Sequence, residues 1–313
     1  MAARAQAPAA RVPAAGRTIV SCRTVARAAA RPIGDTRRAM GHLRYGTSSW
    51  SEPSWEGVFY PEGAKPGEYL GHYATHFDTV EADVTYYRVP DAKMVRGWYQ
   101  KTPPGFTLCA KFPRSIVHGG DAATPDPARL LVPDAVGGDT GRFLGAMAEL
   151  HEKCGPLVLQ FPYFNRKAFA SAAPFLERLD AYLGTLPAAF RYGVEVRNKA
   201  WIGAPLLDLL RRHRCALVLV DLVYMPHPCD LAERLDLLTT DFGYVRLIGD
   251  RKAVEEKTDR FDRIVVDQSA RLDLWAGLLR RYLARVPVIY AYANNHYAGH
   301  GPATIRDLVA RLG

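Results

Sequence analysis

Short apolar runs alternate with amphipathic helical patterns from residue 43 onward, and this alternation predicts parallel βα units. Eight apolar runs predict strands at residues 43–48, 78–83, 106–111, 156–161, 192–197, 215–221, 243–248 and 287–293. Apolar residues at helical spacing predict helices near 66–76, 91–102, 139–153, 167–184, 204–214, 268–285 and 302–312. The stretch 222–238 contains Pro226 and Pro228 and gives only a weak helical pattern.

Eight parallel strands over about 270 residues are typical of an α/β fold of the (β/α)8 TIM-barrel type, built as a single domain. A doubly wound open sheet is the structural alternative. No GxGxxG sequence follows the first predicted strand, which counts against the dinucleotide-binding version of that alternative.

The fifth predicted strand places two opposite charges inside an apolar run. Glu195 and Arg197 point to one face of this strand, and Val194 and Val196 point to the other. A carboxylate and a guanidinium are costly to remove from water, so we expect both groups to be paired with each other, with neighbours or with a ligand.

The other predicted strands also place polar side chains near their C-terminal ends, where barrel enzymes assemble their sites. The sequence therefore predicts a functional site at the C-terminal mouth of the barrel. Its candidate residues are Glu81 and Asp83 (strand two), Lys111 (three), Gln160 (four), Glu195 and Arg197 (five), Asp221 (six), Arg246 (seven), and Asn294, Asn295 and His296 after strand eight.

Two loops add candidates for ligand contact. In the aromatic first loop, 48–61, Trp50 follows the strand directly and is the candidate for stacking on a ring, whereas Trp55, Phe59 and Tyr60 are expected to pack as a lid. The last loop contains Gly299 and ends in a proline suited to a helix start. Free N–H groups at such a start favour an anion, and the cations at the mouth favour one as well.

The net charge of +9 is concentrated at the N-terminus. Residues 1–39 contain eight Arg and one acid, a balance of +7, which leaves only +2 for the rest of the chain. We therefore expect a disordered Arg/Ala-rich extension over residues 1–40 and a barrel domain over 41–313. Three origins remain open for the extension: a start codon called too early, with translation from Met40, a flexible tail, or an organelle-targeting segment.

Five cysteines, odd in number and without a CxxC pair, favour reduced thiols and a cytoplasmic protein. No apolar run approaches the roughly 18 residues of a membrane span, so no membrane partner is expected. The oligomeric state is not predicted.

Glu81, Glu195 and Asp221 are the candidates for acid/base catalysis. No organic cofactor motif, nucleophile elbow, P-loop or HExxH sequence is present. Only His296 and His300 of the nine histidines lie near the predicted mouth, so a divalent metal is a minor alternative and no metal ligand is assigned.

Seven ordered segments together resemble the YecE-like family, domain of unknown function 72, from about Leu43 to Leu308. The resemblance implies a (β/α)8 barrel and brings no established activity. The chain departs from the family pattern at Asp83, Ile248 and Ala293. The segments are Tyr45-Gly-Thr-Ser-Ser-Trp, Trp55-Glu-Gly-Val-Phe-Tyr-Pro, Glu81-Ala-Asp-Val-Thr-Tyr-Tyr, Lys111-Phe-Pro, Gln160-Phe-Pro-Tyr-Phe, Val194-Glu-Val-Arg-Asn-Lys-Ala-Trp and Asn294-Asn-His-Tyr-Ala-Gly.

These observations predict a barrel enzyme, hydrolase- or lyase-like, that acts on an anionic ligand containing a sugar or nucleotide. The alternatives are a non-catalytic nucleic-acid- or nucleotide-binding barrel, and a metal-dependent phosphoesterase similar to endonuclease-four-type barrels. A mouth that is only an ion-pair network without a ligand is the remaining interpretation.

Overall fold

A computed structural model describes residues 40–313 and confirms the predicted fold, because eight parallel strands form a nearly closed barrel with helices around it. The expectations for residues 1–39 lie outside the described residues. The strands are β1 (His42–Thr47), β2 (Thr79–Ala82), β3 (Thr107–Lys111), β4 (Cys154–Gln160), β5 (Tyr192–Glu195), β6 (Ala216–Leu222), β7 (Phe242–Gly249) and β8 (Val288–Ala293).

Twelve α-helices lie in the described part of the chain, ten in the connections between these strands and two after β8. Short helices also form directly after several strands, where the apolar pattern predicted none. The helices are α1 (Tyr69–Tyr73), α2 (Val84–Tyr87), α3 (Ala92–Lys101), α4 (Arg114–Val117), α5 (Pro133–Ala148), α6 (Ala172–Leu183), α7 (Ala204–Arg212), α8 (Pro228–Ala232), α9 (Arg251–Glu255), α10 (Ser269–Leu283), α11 (Asn295–Ala298) and α12 (Gly301–Ala310).

The barrel has one seam, between β1 and β2, where the hydrogen-bonded strand ladder is interrupted. The Tyr73 hydroxyl fills this seam: it accepts a hydrogen bond from the Thr47 N–H at 2.7 Å and donates to the Thr79 carbonyl at 3.3 Å. A Cβ at Gly46 would lie 2.2 Å from the Thr79 carbonyl oxygen, so only glycine fits there. The seam is therefore closed by a side chain in place of a backbone ladder.

Side chains fill the barrel interior below its mouth. Cys109, Val158, Val218, Tyr244 and Tyr292 are all buried against one another there. The alternate residues of the strands pack outward against the helices. The interior is thus a packed core and not a channel.

The described cysteines, Cys109, Cys154, Cys215 and Cys229, are free thiols. None of the helices within residues 40–313 has the length and apolar character needed to cross a bilayer.

Candidate functional site

Arg246 lies at the centre of the C-terminal mouth and contacts residues from three other strands. Its Nε lies 3.0 Å and its Nη2 2.8 Å from Oε1 of Glu81. Its Nη1 donates to Oε1 of Gln160 at 2.8 Å and to Oε2 of Glu195 at 2.6 Å. The guanidinium is buried, and one cation therefore holds two buried carboxylates and an amide.

Further charges surround this centre. Lys111 Nζ lies 2.8 Å from Oδ1 of Asp83, and Arg197 Nε donates to Oε1 of Glu195 at 3.0 Å. We call this group the mouth cluster: Glu81, Asp83, Lys111, Gln160, Glu195, Arg197 and Arg246. Its three carboxylates balance its three cations, so the cluster is neutral when all are ionised.

The two buried carboxylates have pKa values displaced in opposite directions. Burial raises the pKa of Glu81 and the nearby Asp83 adds to this, while Arg246, Lys111 and the Tyr244 hydroxyl oppose it. Burial also acts to raise the pKa of Glu195, but the charges and hydrogen bonds of Arg246 and Arg197 outweigh it and lower that pKa. Glu195 is therefore the more strongly ionised carboxylate and Glu81 the more readily protonated one.

The cluster is reached from solvent at only two of its residues. The side chains of Arg197 and Asp83 are 24% and 28% exposed, whereas Glu81 and Glu195 are fully buried. An incoming ligand would meet Arg197 and Asp83 first.

Exposed tyrosines follow three of the strands that form the mouth. Tyr87, Tyr163 and Tyr224 are 69%, 62% and 50% exposed. The Arg114 guanidinium lies 5.7 Å from the ring centre of Tyr87, within the range of a cation–π interaction. We call these three tyrosines the tyrosine rim. Tyr87 is the last residue of α2, which follows β2, and Tyr163 and Tyr224 lie shortly after β4 and β6. Their positions after strand ends are the signal in the sequence that indicates these three tyrosines as site residues.

Asp221 does not join the mouth cluster, which corrects the expectation that it converges there. It shares its strand face with Leu217 and Leu219, which pack in the layer between sheet and helices. Its carboxylate accepts hydrogen bonds from Trp275 Nε1 and from the Tyr297 hydroxyl, both at 2.8 Å. Arg271 also donates to this carboxylate, and His227 Nε2 lies 3.4 Å from it. Burial acts to raise the pKa of Asp221, but the contacts with His227, Arg271 and Trp275 outweigh it and lower that pKa.

The polar side chains of the last loop form hydrogen bonds within the protein, both inside the loop and to neighbouring segments. The Asn294 side chain caps α11 by accepting a hydrogen bond from the His296 N–H at 2.9 Å. His296 Nε2 lies 3.2 Å from Oε1 of Glu255. The Asn295 side chain accepts a hydrogen bond from the Gly301 N–H at 2.9 Å. We expected this N–H, at the start of α12, to be free for an anion, and the structure shows that it is occupied.

Gly299 ends α11 in a left-handed conformation, with φ of 113°. A Cβ at this position would lie 2.5 Å from the Arg263 carbonyl oxygen. Glycine is therefore required for the loop to pass close to the segment after α9. This backbone role explains the presence of Gly299 without any contact to a ligand.

Trp50 packs against the helical layer. Its ring meets that of Trp98 edge to face with centroids 5.5 Å apart, and its carbonyl accepts a bond from the Tyr60 hydroxyl. Trp55, Phe59 and Tyr60 are buried, as the predicted lid requires. The tyrosine rim thus offers more free ring surface than Trp50 does.

Tyr244 is a site residue that the sequence analysis missed. Its hydroxyl donates to Oε2 of Glu81 at 2.7 Å. It lies two positions before Arg246 and so shares its strand face, which is the signal that identifies it. Within residues 40–313, no group of three or more His, Cys, Asp and Glu side chains is arranged to hold a metal.

The sequence is similar to a family model and to curated proteins. A family model described as "Protein of unknown function DUF72" matches residues 44–313. The chain is 32% identical over 154 residues to UPF0759 protein YecE of Escherichia coli K12, covering 49% of this chain and 47% of that protein. It is 23% identical over 164 residues to UPF0759 protein YunF of Bacillus subtilis, covering 52% and 53%. The matched regions thus span about half the length of these curated relatives.

Solved structures of DUF72 family proteins are also similar to this chain. A DUF72 family protein from Thermotoga maritima MSB8 is similar with a TM-score of 0.62 and 26% identity, over 85% of this chain and 96% of that one. A DUF72 family protein from Enterococcus faecalis V583 is similar with a TM-score of 0.63 and 18% identity, over 87% and 95%, and this second likeness concerns the fold alone.

Proposed function

This chain belongs to the DUF72 family, and we propose that it is a hydrolase- or lyase-like barrel enzyme acting on an anionic ligand that contains a sugar or nucleotide. The observation that supports this most is the pair Glu81 and Glu195, two buried carboxylates on one guanidinium with pKa values displaced in opposite directions. Environments that separate the pKa values of two acids are a recurring sign of an acid and a base.

In this proposal Glu195 acts as the general base and Glu81 as the general acid. The lowered pKa of Glu195 keeps it ionised and ready to accept a proton. The raised pKa of Glu81 favours the protonated form that a donor needs. Arg246 bonds to both carboxylates and positions them relative to each other.

Arg197 and Lys111 would hold the anionic group of the ligand. Arg197 reaches solvent, and the Lys111–Asp83 pair lies at the accessible side of the cluster. When all of its groups are ionised the empty cluster is neutral, and an added anion then leaves an excess negative charge. Uptake of a proton by Glu81 removes that excess, so binding should be tighter at lower pH.

The tyrosine rim would contact the sugar or base. Tyrosine rings stack on the faces of such groups, and the rim is exposed around the mouth. The neighbouring loops 161–171 and 196–203 contain the cations Arg166, Lys167, Arg197 and Lys199 and no acidic residue. This charge favours an anionic ligand.

The same rim and cations favour a second candidate, a non-catalytic barrel that binds single-stranded nucleic acid. Aromatic platforms beside cationic loops are the usual means of binding a single strand without sequence preference. Such binding would weaken steeply with salt and would not be accompanied by turnover.

The experiment uses the full chain. Isothermal titration and product analysis with AMP, ribose 5-phosphate, glucose 6-phosphate and a 20-residue oligothymidylate should reveal binding and turnover of at least one sugar phosphate or nucleotide. Glu195→Gln should abolish turnover, while Glu177→Gln, the same change on an exposed α6 side chain, should not. Binding of the oligothymidylate alone would favour the second candidate, and full activity of a folded Glu195→Gln protein would refute the first.

Two further expectations belong to this proposal. The free thiols of the described residues support a cytoplasmic location. The division into an extension over residues 1–40 and a barrel domain over 41–313 stays a prediction.

A further inference from the structure

A cleft of about 460 Å³ opens at the N-terminal end of the barrel, opposite the mouth cluster. It lies between the C-terminal ends of α6 and α7 and the beginnings of β5 and β7. Its volume falls within the range of small-molecule sites, about 300–1,000 Å³. The acid/base proposal uses none of its residues.

Buried side chains, among them Leu183, Tyr192 and Phe242, form the apolar part of the cleft lining, which we call its floor. Arginines line the cleft as well. The Arg191 guanidinium lies 5.5 Å from the ring centre of Phe242, and Arg214 is exposed at the edge. The cleft thus offers an apolar surface to one part of a molecule and positive charge to another.

Two of these arginines have charges that the protein leaves unneutralised. Among the described residues, no carboxylate forms an ion pair with Arg191 or Arg214, whereas Arg212 is held by Asp180 at 2.9 Å. Asp241 also lines the cleft and its contact is with its neighbour Thr240 at 3.3 Å. Two unpaired cations against one unpaired acid give this cleft a positive balance.

Arg214 also has an unusual backbone. Its φ is 54°, a left-handed conformation that glycine commonly supplies just after a helix. A residue with a Cβ is strained in this conformation. An arginine here turns the chain out of α7 at the edge of the cleft, where its side chain adds a charge that glycine would not.

We propose that this cleft binds a small organic anion with an aromatic or apolar body, its carboxylate, sulfonate or phosphate held by Arg191 and Arg214. The apolar floor would cover the body of the molecule, and the guanidinium of Arg191 would lie between the ring of Phe242 and the anionic group. This second site is independent of the mouth in position and in the residues it uses.

Two fluorescent probes test the proposal on the full chain: 8-anilinonaphthalene-1-sulfonate, and N-phenyl-1-naphthylamine, which keeps the rings and lacks the sulfonate. The double variant Arg191→Gln/Arg214→Gln should weaken saturable binding of the sulfonate about tenfold or more and leave the uncharged probe within twofold. Ala188→Trp, which adds bulk to the lining, should weaken both probes.

Arg142→Gln on α5 is the matched control, since it removes an exposed arginine far from this lining and should leave both probes unaffected. Circular dichroism confirms that each variant is folded. Sulfonate binding that is unchanged in the folded double variant would overturn the proposal, as would binding that survives Ala188→Trp. Neither result bears on turnover at the mouth.

Discussion

Replacing Arg246 by methionine is the perturbation for which the structure gives the sharpest expectation. The change keeps much of the side-chain volume and removes the cation that bonds to Glu81 and Glu195. Both carboxylates are buried, so water cannot replace the lost donors without rearrangement of the mouth.

The expected loss of unfolding free energy is large. Removing one partner of a buried ion pair costs about 3–5 kcal/mol, because a charge is left buried and unpaired. Arg246 serves two carboxylates, which places the loss at the upper end of that range. The triple variant Glu81→Gln/Glu195→Gln/Arg246→Met should recover at least half of it, since no unpaired buried carboxylate remains there.

Urea denaturation at several pH values provides the assay, and the sign of the pH effect identifies the cause. Without Arg246, the folded-state pKa of Glu195 should rise above the unfolded value of about 4.3, and that of Glu81, which burial already raises, should rise further. The folded state then binds more protons, so stability increases as pH falls from the raised pKa toward the unfolded one. In the wild type, by contrast, the stability contributed by the lowered pKa of Glu195 is lost as pH falls below the unfolded value.

The difference in stability between wild type and Arg246→Met should therefore narrow from pH 7.5 to pH 5.5. Arg271→Met is the control, because Asp221 keeps Trp275 and Tyr297 as donors and the loss should be smaller. A loss below about 1 kcal/mol for Arg246→Met, independent of pH, would refute the arrangement described here.

Three further predictions concern the rest of the barrel. Tyr73→Phe should cost about 1–3 kcal/mol in urea denaturation, because the buried N–H of Thr47 loses its acceptor in the seam; an unchanged midpoint would contradict the closure by Tyr73. Asp221→Asn should lower the melting temperature and leave ligand affinity at the mouth within twofold in calorimetry; loss of binding in a folded protein would return Asp221 to the site. Gly299→Ala should speed amide exchange in the last loop, because its φ is 113° and the Arg263 carbonyl leaves no room for a Cβ; unchanged exchange would show that the loop adapts.

The local pattern of apolar and polar residues was sufficient to predict the barrel and many of the residues at its mouth. Strand parity depends only on the alternation of side chains, so Glu81, Gln160 and Arg246 could be assigned to the inner face before any coordinates were known. The same reasoning was available for Asp221, which shares parity with Leu217 and Leu219. A charge at the end of a strand is typical of the mouth, whereas the donors that satisfy Asp221, in α10 and α11, lie more than fifty residues away along the chain.

The remaining features depend on contacts between distant segments. Asn295 donates a hydrogen bond to Glu52 at 3.4 Å between the loops after β8 and β1, and Trp50 packs on Trp98. No periodicity along the chain indicates either contact. The closure of the seam also depends on a distant contact, because the hydroxyl of Tyr73, a residue of α1, reaches between two strands. Tertiary packing decides such contacts.

The central claim is that the mouth cluster binds an anionic ligand, and proton uptake on binding tests it most directly. Titration of the full chain with AMP and ribose 5-phosphate at pH 7, in buffers of different ionisation enthalpy, measures the protons taken up. We expect net uptake for the bound ligand and weaker affinity at pH 8 than at pH 6, with the uptake lost in Glu81→Gln. Absence of binding by both compounds, or binding without proton uptake and unchanged in folded Glu81→Gln and Arg197→Ala proteins, would contradict it.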